Sequence, residues 1–375
     1  MARPGLRVLV APDKFKGTLT GAQAATAMAA GVRAVIPDAA ITTVSLADGG
    51  EGTVDAVLAA GGHLRVKTVP GPLGRPVEAR FALLGRTAVL EAAEACGLQL
   101  LTPTPETSLT AGSAGVGEMV RAALAAGATS VVVGLGGVAC TDGGAGMAAA
   151  LGARLLDHRG YRLPPGGGAL ADLARIELEV LQEVVARATF VAATDVSNPL
   201  LGPDGAAAVY APQKGAGPEE VRRLEQGLSR WADLVEQAYD VSTRDLPGAG
   251  AAGGLGWGLT TLLGAEIRPG AELVMEMLGI DETLEQVDLV VTGEGRLDRQ
   301  STFGKGPVAL ARVAERRGVP VLVVAGEVDG TVPQSVPFTH VRSLVRAVGR
   351  DAALRDTAAA LTGTTAAAIR DVCDA

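Results

Sequence analysis

Short segments rich in β-branched residues alternate along this chain with longer segments rich in Ala and Leu. The alternation is typical of a parallel sheet whose strands are joined by covering helices, so the sequence predicts an α/β fold. The predicted strands are residues 6–11, 41–46, 87–90, 130–133, 189–193, 289–291, 320–325 and 341–345. The predicted helices are residues 20–36, 53–60, 218–239, 307–317 and 351–371.

The chain is long enough to form two domains. Its 375 residues exceed the roughly 250–300 that one hydrophobic core usually serves. The segment 70–76, PGPLGRP, holds three prolines and two glycines and predicts a boundary. Beyond Gly279 the pattern of the N-terminal segment returns. We therefore predict one discontinuous α/β domain, residues 1–68 and 286–375, with residues 69–285 inserted as a second, both with mainly parallel sheets of the Rossmann or flavodoxin type.

Composition and charge disfavour several other classes of protein. Hydrophobic residues make up 48% and charged residues 20%, which supports a buried core and argues against disorder. The formal charge is −8 and no long basic run occurs, so nucleic-acid binding is disfavoured. No apolar run approaches the roughly 20 residues of a membrane span. Three distant cysteines and an N-terminus without a signal peptide lead us to expect a cytoplasmic protein with no membrane partner.

Glycines and charged residues follow nearly every predicted strand. These clusters occupy residues 12–17, 48–52, 134–144, 195–199 and 293–298. In open parallel sheets the ligand crevice lies outside the carboxyl ends of the strands. We therefore expect the five clusters to meet at one edge and to surround a single site.

The residue types in these clusters suit phosphoryl transfer. Glycine N–H groups can cradle phosphate oxygens, and lysines can offset phosphate charge. The candidate lysines are Lys16, Lys214 and Lys305. Mg²⁺ usually needs one or two carboxylates, and a further Asp can orient the attacking hydroxyl. The candidate carboxylates for Mg²⁺ are Asp48, Glu51, Glu294 and Asp298.

Each cluster also has a structural explanation. Asp48 and Asp142 could cap helices, and Lys16 could be an ordinary surface lysine. Arg296 could form ion pairs with the carboxylates on either side of it. Asp195 favours a functional role more strongly, because a solvent-facing Asp at a strand end rarely needs a neighbouring Asn and Pro, here Asn198 and Pro199. The joint occurrence of the clusters, rather than any one of them, indicates a site.

Two matches to the dinucleotide pattern G-x-G-x-x-[GA] raise an NAD-dependent oxidoreductase as an alternative. The match at 134–139 follows a strand but runs into Asp142, which would crowd a pyrophosphate, and the match at 248–253 follows no strand. The P-loop pattern, the G-x-S-x-G elbow and zinc-ligand spacings are absent from the sequence. A non-catalytic sensor of phosphorylated acids is also disfavoured, since no DNA-binding or partner module is recognisable.

Seven segments, in this order from Ala11 to Pro307, resemble the bacterial glycerate kinase family, of the ATP-dependent glycerate 2-kinase type. They are APDKFKG, ADGGEGTVDA, GGVACTDGGAGM, ATDVSNPLLG, APQKGA, PGAGAAGGLG and VVTGEGRLDRQSTFGKGP. The resemblance implies two α/β domains, one of them discontinuous, with substrate and ATP in the cleft. It also implies Mg²⁺ and phosphorylation of D-glycerate. The residues alone leave O2 and O3 open as acceptors, and only the resemblance favours 2-phosphoglycerate; another small hydroxy-acid remains an alternative substrate.

The resemblance is incomplete at a few positions. The family usually has Ser where Lys14 stands, so only Lys16 corresponds to the motif lysine. The usual GGSATNDGG appears as GGVACTDGG, with Val138, Cys140 and Thr141 in place of Ser, Thr and Asn. The oligomeric state is left open, with a homo-oligomer as one option.

We assign the candidate residues as follows. The catalytic candidates are Asp195, Lys16 and Asp13. The Mg²⁺ candidates are Glu294 and Asp298. The candidates for binding substrate and phosphate are Asp48, Gly49, Gly50, Glu51, Gly52, Gly136, Gly137, Asp142, Gly143, Gly144, Asn198, Lys214, Gly250, Arg296 and Lys305.

Overall fold

A computed structural model describes residues 5–298, 306–329 and 336–374. Within these ranges no helix is both long and apolar enough to cross a bilayer. The strands are Arg7–Val10 (β1), Ala40–Thr43 (β2), His63–Pro70 (β3), Pro76–Leu84 (β4), Thr87–Glu91 (β5), Ser130–Gly134 (β6), Arg154–Leu156 (β7), Arg175–Glu177 (β8), Thr189–Ala193 (β9), Glu266–Arg268 (β10), Leu289–Thr292 (β11), Arg296–Leu297 (β12), Val321–Ala325 (β13), Glu327–Val328 (β14) and His340–Ser343 (β15).

The α-helices alternate with these strands, as the sequence pattern predicts. They are Gly21–Arg33 (α1), Thr53–Ala59 (α2), Ala92–Cys96 (α3), Pro105–Thr110 (α4), Ala114–Ala125 (α5), Ala145–Ala150 (α6), Glu179–Val185 (α7), Ala206–Tyr210 (α8), Pro218–Tyr239 (α9), Ala251–Leu263 (α10), Gly270–Met277 (α11), Ile280–Leu284 (α12), Gly306–Arg316 (α13), Leu344–Val348 (α14), Arg350–Arg355 (α15) and Thr357–Asp374 (α16). Short 3₁₀ turns occupy Leu98–Leu100, Gly167–Asp172 and Pro212–Lys214.

The chain divides into two compact units. Unit 1 comprises the described parts of Met1–Asp48, Asp55–Ala60 and Pro269–Ala375; unit 2 comprises Gly49–Val54 and Gly61–Arg268. The unit boundaries at 60/61 and 268/269 fall earlier in the chain than the predicted 68/69 and 285/286. They do so because β3 pairs with β4 inside unit 2, whereas α11 packs against α13 inside unit 1.

Unit 1 has a parallel sheet in the order β15-β13-β11-β1-β2. Numbered along the chain within the unit, this order is 2-1-3-4-5, which is the flavodoxin-like order. Strand β1 lies between β11 and the edge strand β2, with Val10 beside Val291 on one side and Thr43 on the other. The strand order reverses between β1 and β11, and this reversal is where open α/β sheets bind their ligands.

Helices α1 and α16 pack closely against each other in unit 1. Thr20 caps α1 through a capping box with Gln23, as its place before the helix predicts. A Cβ on Gly31 of α1 would stand 2.6 Å from the carbonyl oxygen of Thr362, so a glycine permits this close approach. The Thr362 hydroxyl donates to the carbonyl of Ala27 at 2.9 Å, which fastens the two helices together.

Unit 2 has a six-stranded sheet in the order β10-β9-β6-β5-β4-β3. Strands β5, β6, β9 and β10 are parallel, and the β3–β4–β5 meander is antiparallel. The segment 70–76 is the turn of the β3–β4 hairpin, where Gly71 N–H donates to the Arg75 carbonyl at 2.7 Å. The sequence prediction of a domain boundary there is corrected, because prolines and glycines mark a tight turn as readily as a linker.

Helix α9 has the predicted bounds and buries an apolar stripe whose residues lie three or four positions apart. Leu224, Leu228, Trp231 and Val235 are fully buried in the core of unit 2. Trp231 meets Trp257 edge to face, with ring centroids 6.0 Å apart. The helix stripe therefore serves packing, as its spacing of three and four residues indicates.

Two predictions near the C-terminus are wrong in detail. The predicted strand 341–345 covers both the end of β15 and the start of α14, since Ser343 accepts a hydrogen bond from Arg346 N–H and caps a helix there. The predicted helix 351–371 is two helices, α15 and α16, separated by Asp356 at φ −142° and ψ 74°. No Gly or Pro lies next to Asp356, so the Ala-rich sequence gives no local sign of that break.

Candidate active site

The loops that follow β1 and β11 lie side by side at the strand-order reversal of unit 1. Asp13 N–H donates to the carbonyl of Gly293 at 2.8 Å, which continues the strand pairing into the loops. A Cβ on Gly295 would stand 3.2 Å from the backbone nitrogen of Lys16. The structure therefore brings two of the predicted clusters, 12–17 and 293–298, together.

Asp13 is half-buried beside the start of helix α13, and Lys16 is exposed. One carboxylate oxygen of Asp13 accepts from the N–H of Lys14 at 2.6 Å. The other lies 3.8 Å from the position of a Cβ on Gly306, the first residue of α13. Lys305, predicted to bind phosphate, lies outside the described residues.

Glu294 and Asp298 flank Arg296 on the loop after β11. Glu294 is buried, and Arg296 is exposed and pairs with Asp298 at 3.6 Å and with Asp329 at 3.5 Å. Such long, exposed ion pairs contribute about 0–1 kcal/mol, so they do not commit these side chains to a structural role. Among the described residues, no three His, Cys, Asp or Glu side chains are grouped to share a metal ion. Mg²⁺ fits this donor set, since it needs one or two carboxylates beside phosphate oxygens.

The glycine-rich Gly49–Val54 segment, here called the Gly49–Val54 loop, packs on the strand ends of unit 2. A Cβ on Gly134 would stand 2.0 Å from the carbonyl oxygen of Gly49, and one on Gly136 would stand 2.9 Å from Cα of Gly50. The backbone of the loop therefore covers the dinucleotide-like match at 134–139. No helix begins directly after that match, since α6 starts at Ala145. These contacts leave the NAD alternative without a phosphate-binding turn.

Glu91 is a residue of this region that sequence reasoning missed. It ends β5, is 5% exposed, and accepts hydrogen bonds from the N–H groups of Gly52 at 3.1 Å and Val54 at 2.7 Å. Its place at a strand end was the available signal, but no glycine follows it. The carboxylate occupies the start of α2, which favours negative charge.

Asp142 is buried in unit 2 and fixes the loop after β6 through hydrogen bonds. Its carboxylate accepts from the N–H and hydroxyl of Ser113, at 2.8 and 2.9 Å, and from the N–H groups of Gly144 and Gly146, at 3.2 and 3.1 Å. Its side chain is 1% exposed. The Gly143 carbonyl accepts from the indole N–H of Trp231 at 3.1 Å. The sequence left capping and phosphate binding open for Asp142. These hydrogen bonds are those of a capping residue.

Lys214 is a buried cation on the other side of the same loop. Its ammonium donates to the carbonyl of Cys140 at 2.6 Å and to the hydroxyl of Thr141 at 3.3 Å. Burial lowers the pKa of Lys214, opposed by the nearby Cys140, Cys96 and Asp142. The three positions that depart from the family pattern, Val138, Cys140 and Thr141, are buried here.

Asp195 and Asn198 lie on the loop after β9, beside the segment that leads into α10. Asn198 accepts from the hydroxyl of Tyr210 at 2.6 Å, donates to the carbonyl of Asp204 at 2.8 Å, and its own carbonyl accepts from Gly250 N–H at 2.8 Å. Asp195 is half-buried. Asn198 and Gly250 are therefore brought together, and the structure commits the Asn198 amide to shaping the loop.

A buried carboxylate supports this segment from helix α9. Glu236 accepts from the N–H groups of Thr243 and Arg244, at 2.9 and 2.8 Å, and from the Arg244 guanidinium. The carbonyl of Arg244 in turn accepts from Leu200 N–H at 2.8 Å. Burial raises the pKa of Glu236, but the hydrogen bonds from Arg244 and Thr243 outweigh it and hold that pKa below its ordinary value. Glu236 therefore ties helix α9 to the loop after β9.

Mainly parallel sheets with glycine-rich strand-end loops are typical of enzymes that bind small phosphorylated molecules, and the comparisons with known proteins identify the class here as phosphotransferase. The chain belongs to the glycerate kinase family, whose model matches residues 8–373. The glycerate kinase of Bacillus subtilis (strain 168) is 41% identical over 370 residues, covering 93% of this chain and 97% of the relative. The glycerate 2-kinase of Escherichia coli (strain K12) is 42% identical over 330 residues, 87% of each chain. The crystal structure of a proposed glycerate kinase 2 from Salmonella typhimurium LT2 matches with a TM-score of 0.87 and 39% identity, covering 98% of both chains.

Proposed function

We propose that this protein transfers the terminal phosphoryl group of ATP to O2 of D-glycerate, giving 2-phosphoglycerate and ADP. Glycerate as the acceptor is supported by the names of the relatives, and O2 by the name of the Escherichia coli relative. The observation that best supports the site is the adjacency of the loops after β1 and β11, because it gathers carboxylates and a lysine at a strand-order reversal.

The residues of unit 1 handle the phosphates in this proposal. Lys16 is exposed at the reversal, where its ammonium offsets charge on the transferring phosphoryl group. Glu294 and Asp298 would hold Mg²⁺, which neutralises charge on the phosphate oxygens of ATP when it is bound. Asp13 is the alternative proton acceptor. Further contacts to substrate and phosphate are assigned to Asp48, Arg296 and Lys305.

Asp195 accepts the proton of the attacking hydroxyl. As the new O2–P bond forms, the proton passes to the Asp195 carboxylate, and the bond from phosphorus to the bridging oxygen breaks so that ADP departs with the electron pair. The backbone of the Gly49–Val54 loop and the side chain of Glu51 contact the substrate, and Gly136, Gly137, Asn198 and Gly250 shape the loops around it.

In this proposal, four residues of unit 2 hold loops in place and do not contact the substrate: Asp142, Gly143, Gly144 and Lys214. Their hydrogen-bonding groups are engaged within unit 2, where Asp142 alone accepts four hydrogen bonds. A buried carboxylate and ammonium with such partners hold a loop in one conformation. We therefore assign them to loop geometry.

Product identification by phosphorus NMR tests the proposal. Purified protein is incubated with ATP, Mg²⁺ and D-glycerate. A phosphate on O2 couples to one proton and gives a doublet, whereas a phosphate on O3 couples to two and gives a triplet. The proposal expects the doublet; a triplet overturns O2 as the acceptor, and no new resonance overturns glycerate as the substrate.

Two analogues separate the acceptor oxygen from the substrate class. D-Lactate keeps the 2-hydroxyl and lacks the 3-hydroxyl, and 3-hydroxypropionate has the reverse arrangement. We expect slow, measurable ADP formation with D-lactate and none with 3-hydroxypropionate. Faster turnover of another hydroxy-acid than of D-glycerate would replace glycerate as the substrate.

A further inference from the structure

Glu91 anchors the Gly49–Val54 loop to the sheet of unit 2. One carboxylate oxygen accepts from two backbone N–H groups, those of Gly52 and Val54. The side chain is 5% exposed, so these bonds form in a region of low dielectric, where charge-assisted hydrogen bonds are strong. The loop is held on a second side by the backbone contact between Gly134 and Gly49.

The loop needs such an anchor because its backbone is unusual. Gly49 has φ +79° and Gly52 has φ +100°. Glycine adopts these conformations readily, but a glycine-rich loop can adopt many other conformations as well. Each glycine also loses much conformational entropy when it is ordered. A fixed acceptor at Glu91 selects one loop conformation from the many that are sterically open.

We propose that Glu91 is a positioning residue for the kinase reaction, which it serves by ordering the Gly49–Val54 loop; this inference rests on the proposed function. The N–H groups of Gly52 and Val54 are engaged with Glu91, so the start of α2 is already occupied by a carboxylate. The loop therefore contributes through the position of its other groups. When a smaller fraction of molecules has the ordered loop, the apparent affinity for D-glycerate falls by the same factor.

Three variants test the proposal. Glu91→Ala removes the acceptor, and Glu91→Gln keeps an amide oxygen in its place. Glu94→Ala is the matched control, because Glu94 lies three residues further on and accepts hydrogen bonds from the backbone N–H and the guanidinium of Arg80, at 2.8–3.2 Å, rather than from the loop. The measurements are the KM for D-glycerate, kcat, the melting temperature and hydrogen–deuterium exchange of the loop amides without substrate.

We expect Glu91→Ala to raise KM for D-glycerate at least about tenfold, with a smaller effect on kcat, and to speed exchange at the Gly52 and Val54 amides. Glu91→Gln should stay within about threefold of the unaltered protein, and Glu94→Ala should lower the melting temperature while keeping KM within about twofold. If Glu91→Ala lowers only the melting temperature, or if Glu91→Gln is as impaired as Glu91→Ala, the positioning role is overturned.

The exchange measurement separates this inference from the proposed function. Absence of D-glycerate turnover in the unaltered protein would defeat the proposed function and with it the kinetic role of Glu91. Unchanged exchange at the Gly52 and Val54 amides in Glu91→Ala would defeat the anchoring itself, whatever substrate the enzyme uses.

Discussion

Substituting Gly134 by Ala adds one methyl group where the backbone of the Gly49–Val54 loop leaves no room. The new Cβ would stand 2.0 Å from the carbonyl oxygen of Gly49 and 3.0 Å from its carbonyl carbon, whereas ordinary contact begins at 3.4 Å. Both atoms are backbone, so no side-chain rotation relieves the clash. The Gly49 carbonyl has to retreat by roughly 1.4 Å.

The displacement has a cost in stability and a larger one in catalysis. Overpacking of this kind destabilises by about 1–3 kcal/mol, which lowers the melting temperature by roughly 2–10 °C. A misplacement of about 1 Å in an active site can cost about 100-fold in rate. We therefore expect Gly134→Ala to lower kcat/KM for D-glycerate about 100-fold, measured by coupled detection of ADP.

Gly363→Ala is the matched control for this experiment. Gly363 lies within α16, is exposed, and has nothing within 4 Å of the position of its Cβ. The same methyl group should therefore stabilise by about 0.5–1 kcal/mol and leave kcat/KM unchanged. A Gly134→Ala protein with the melting temperature and kcat/KM of the unaltered enzyme would refute the reasoning.

Three further substitutions test the buried charges of unit 2. Asp142→Asn turns an amide N–H₂ toward backbone donors and should destabilise by about 1–3 kcal/mol in urea unfolding; an unchanged midpoint would contradict the capping role. The pKa of Glu236 is lowered on folding, so its stabilisation is present at neutral pH and lost as the pH falls through that lowered pKa. The melting-temperature advantage over Glu236→Gln should shrink from pH 7 toward pH 3; a constant difference is the contrary result. The pKa of Lys214 is lowered by burial, so between that lowered pKa and the ordinary value the unfolded chain binds more protons, and stability relative to Lys214→Met should rise with pH up to the ordinary lysine pKa of about 10.4; a difference that stays constant up to that pH counts against the lowered pKa.

Sequence patterns predicted the helices and strands whose formation depends on residues near each other in the chain. Helix α9 has the predicted bounds because an apolar stripe and Pro218 at its first turn specify it. Strand β9 has the predicted bounds because it begins with β-branched and aromatic residues, which favour strands. The β3–β4 hairpin was missed because its turn, 70–76, has the composition of a linker. The break at Asp356 was missed because no Gly or Pro accompanies it.

The sequence predicted that clusters after neighbouring strands would meet, and for two of them the structure shows the contact. Asp13 and Gly293 meet because β1 and β11 are neighbours in a parallel sheet, an order that the structure rather than the sequence supplies. Glu91 could not be found that way, since its partners lie 37 and 39 residues earlier in the chain and no local pattern records such a contact. The choice between capping and phosphate binding at Asp142 likewise depended on Ser113, 29 residues away.

The central claim is that the strand-end loops carry out phosphoryl transfer, and Asp195→Asn tests it most directly. The change keeps the size of the side chain and removes its capacity to take a proton. Steady-state kinetics with ATP, Mg²⁺ and D-glycerate should show kcat lowered by about 100-fold or more with KM nearly unchanged. A variant with the kcat of the unaltered enzyme would contradict the claim and would remove Asp195 from the chemistry.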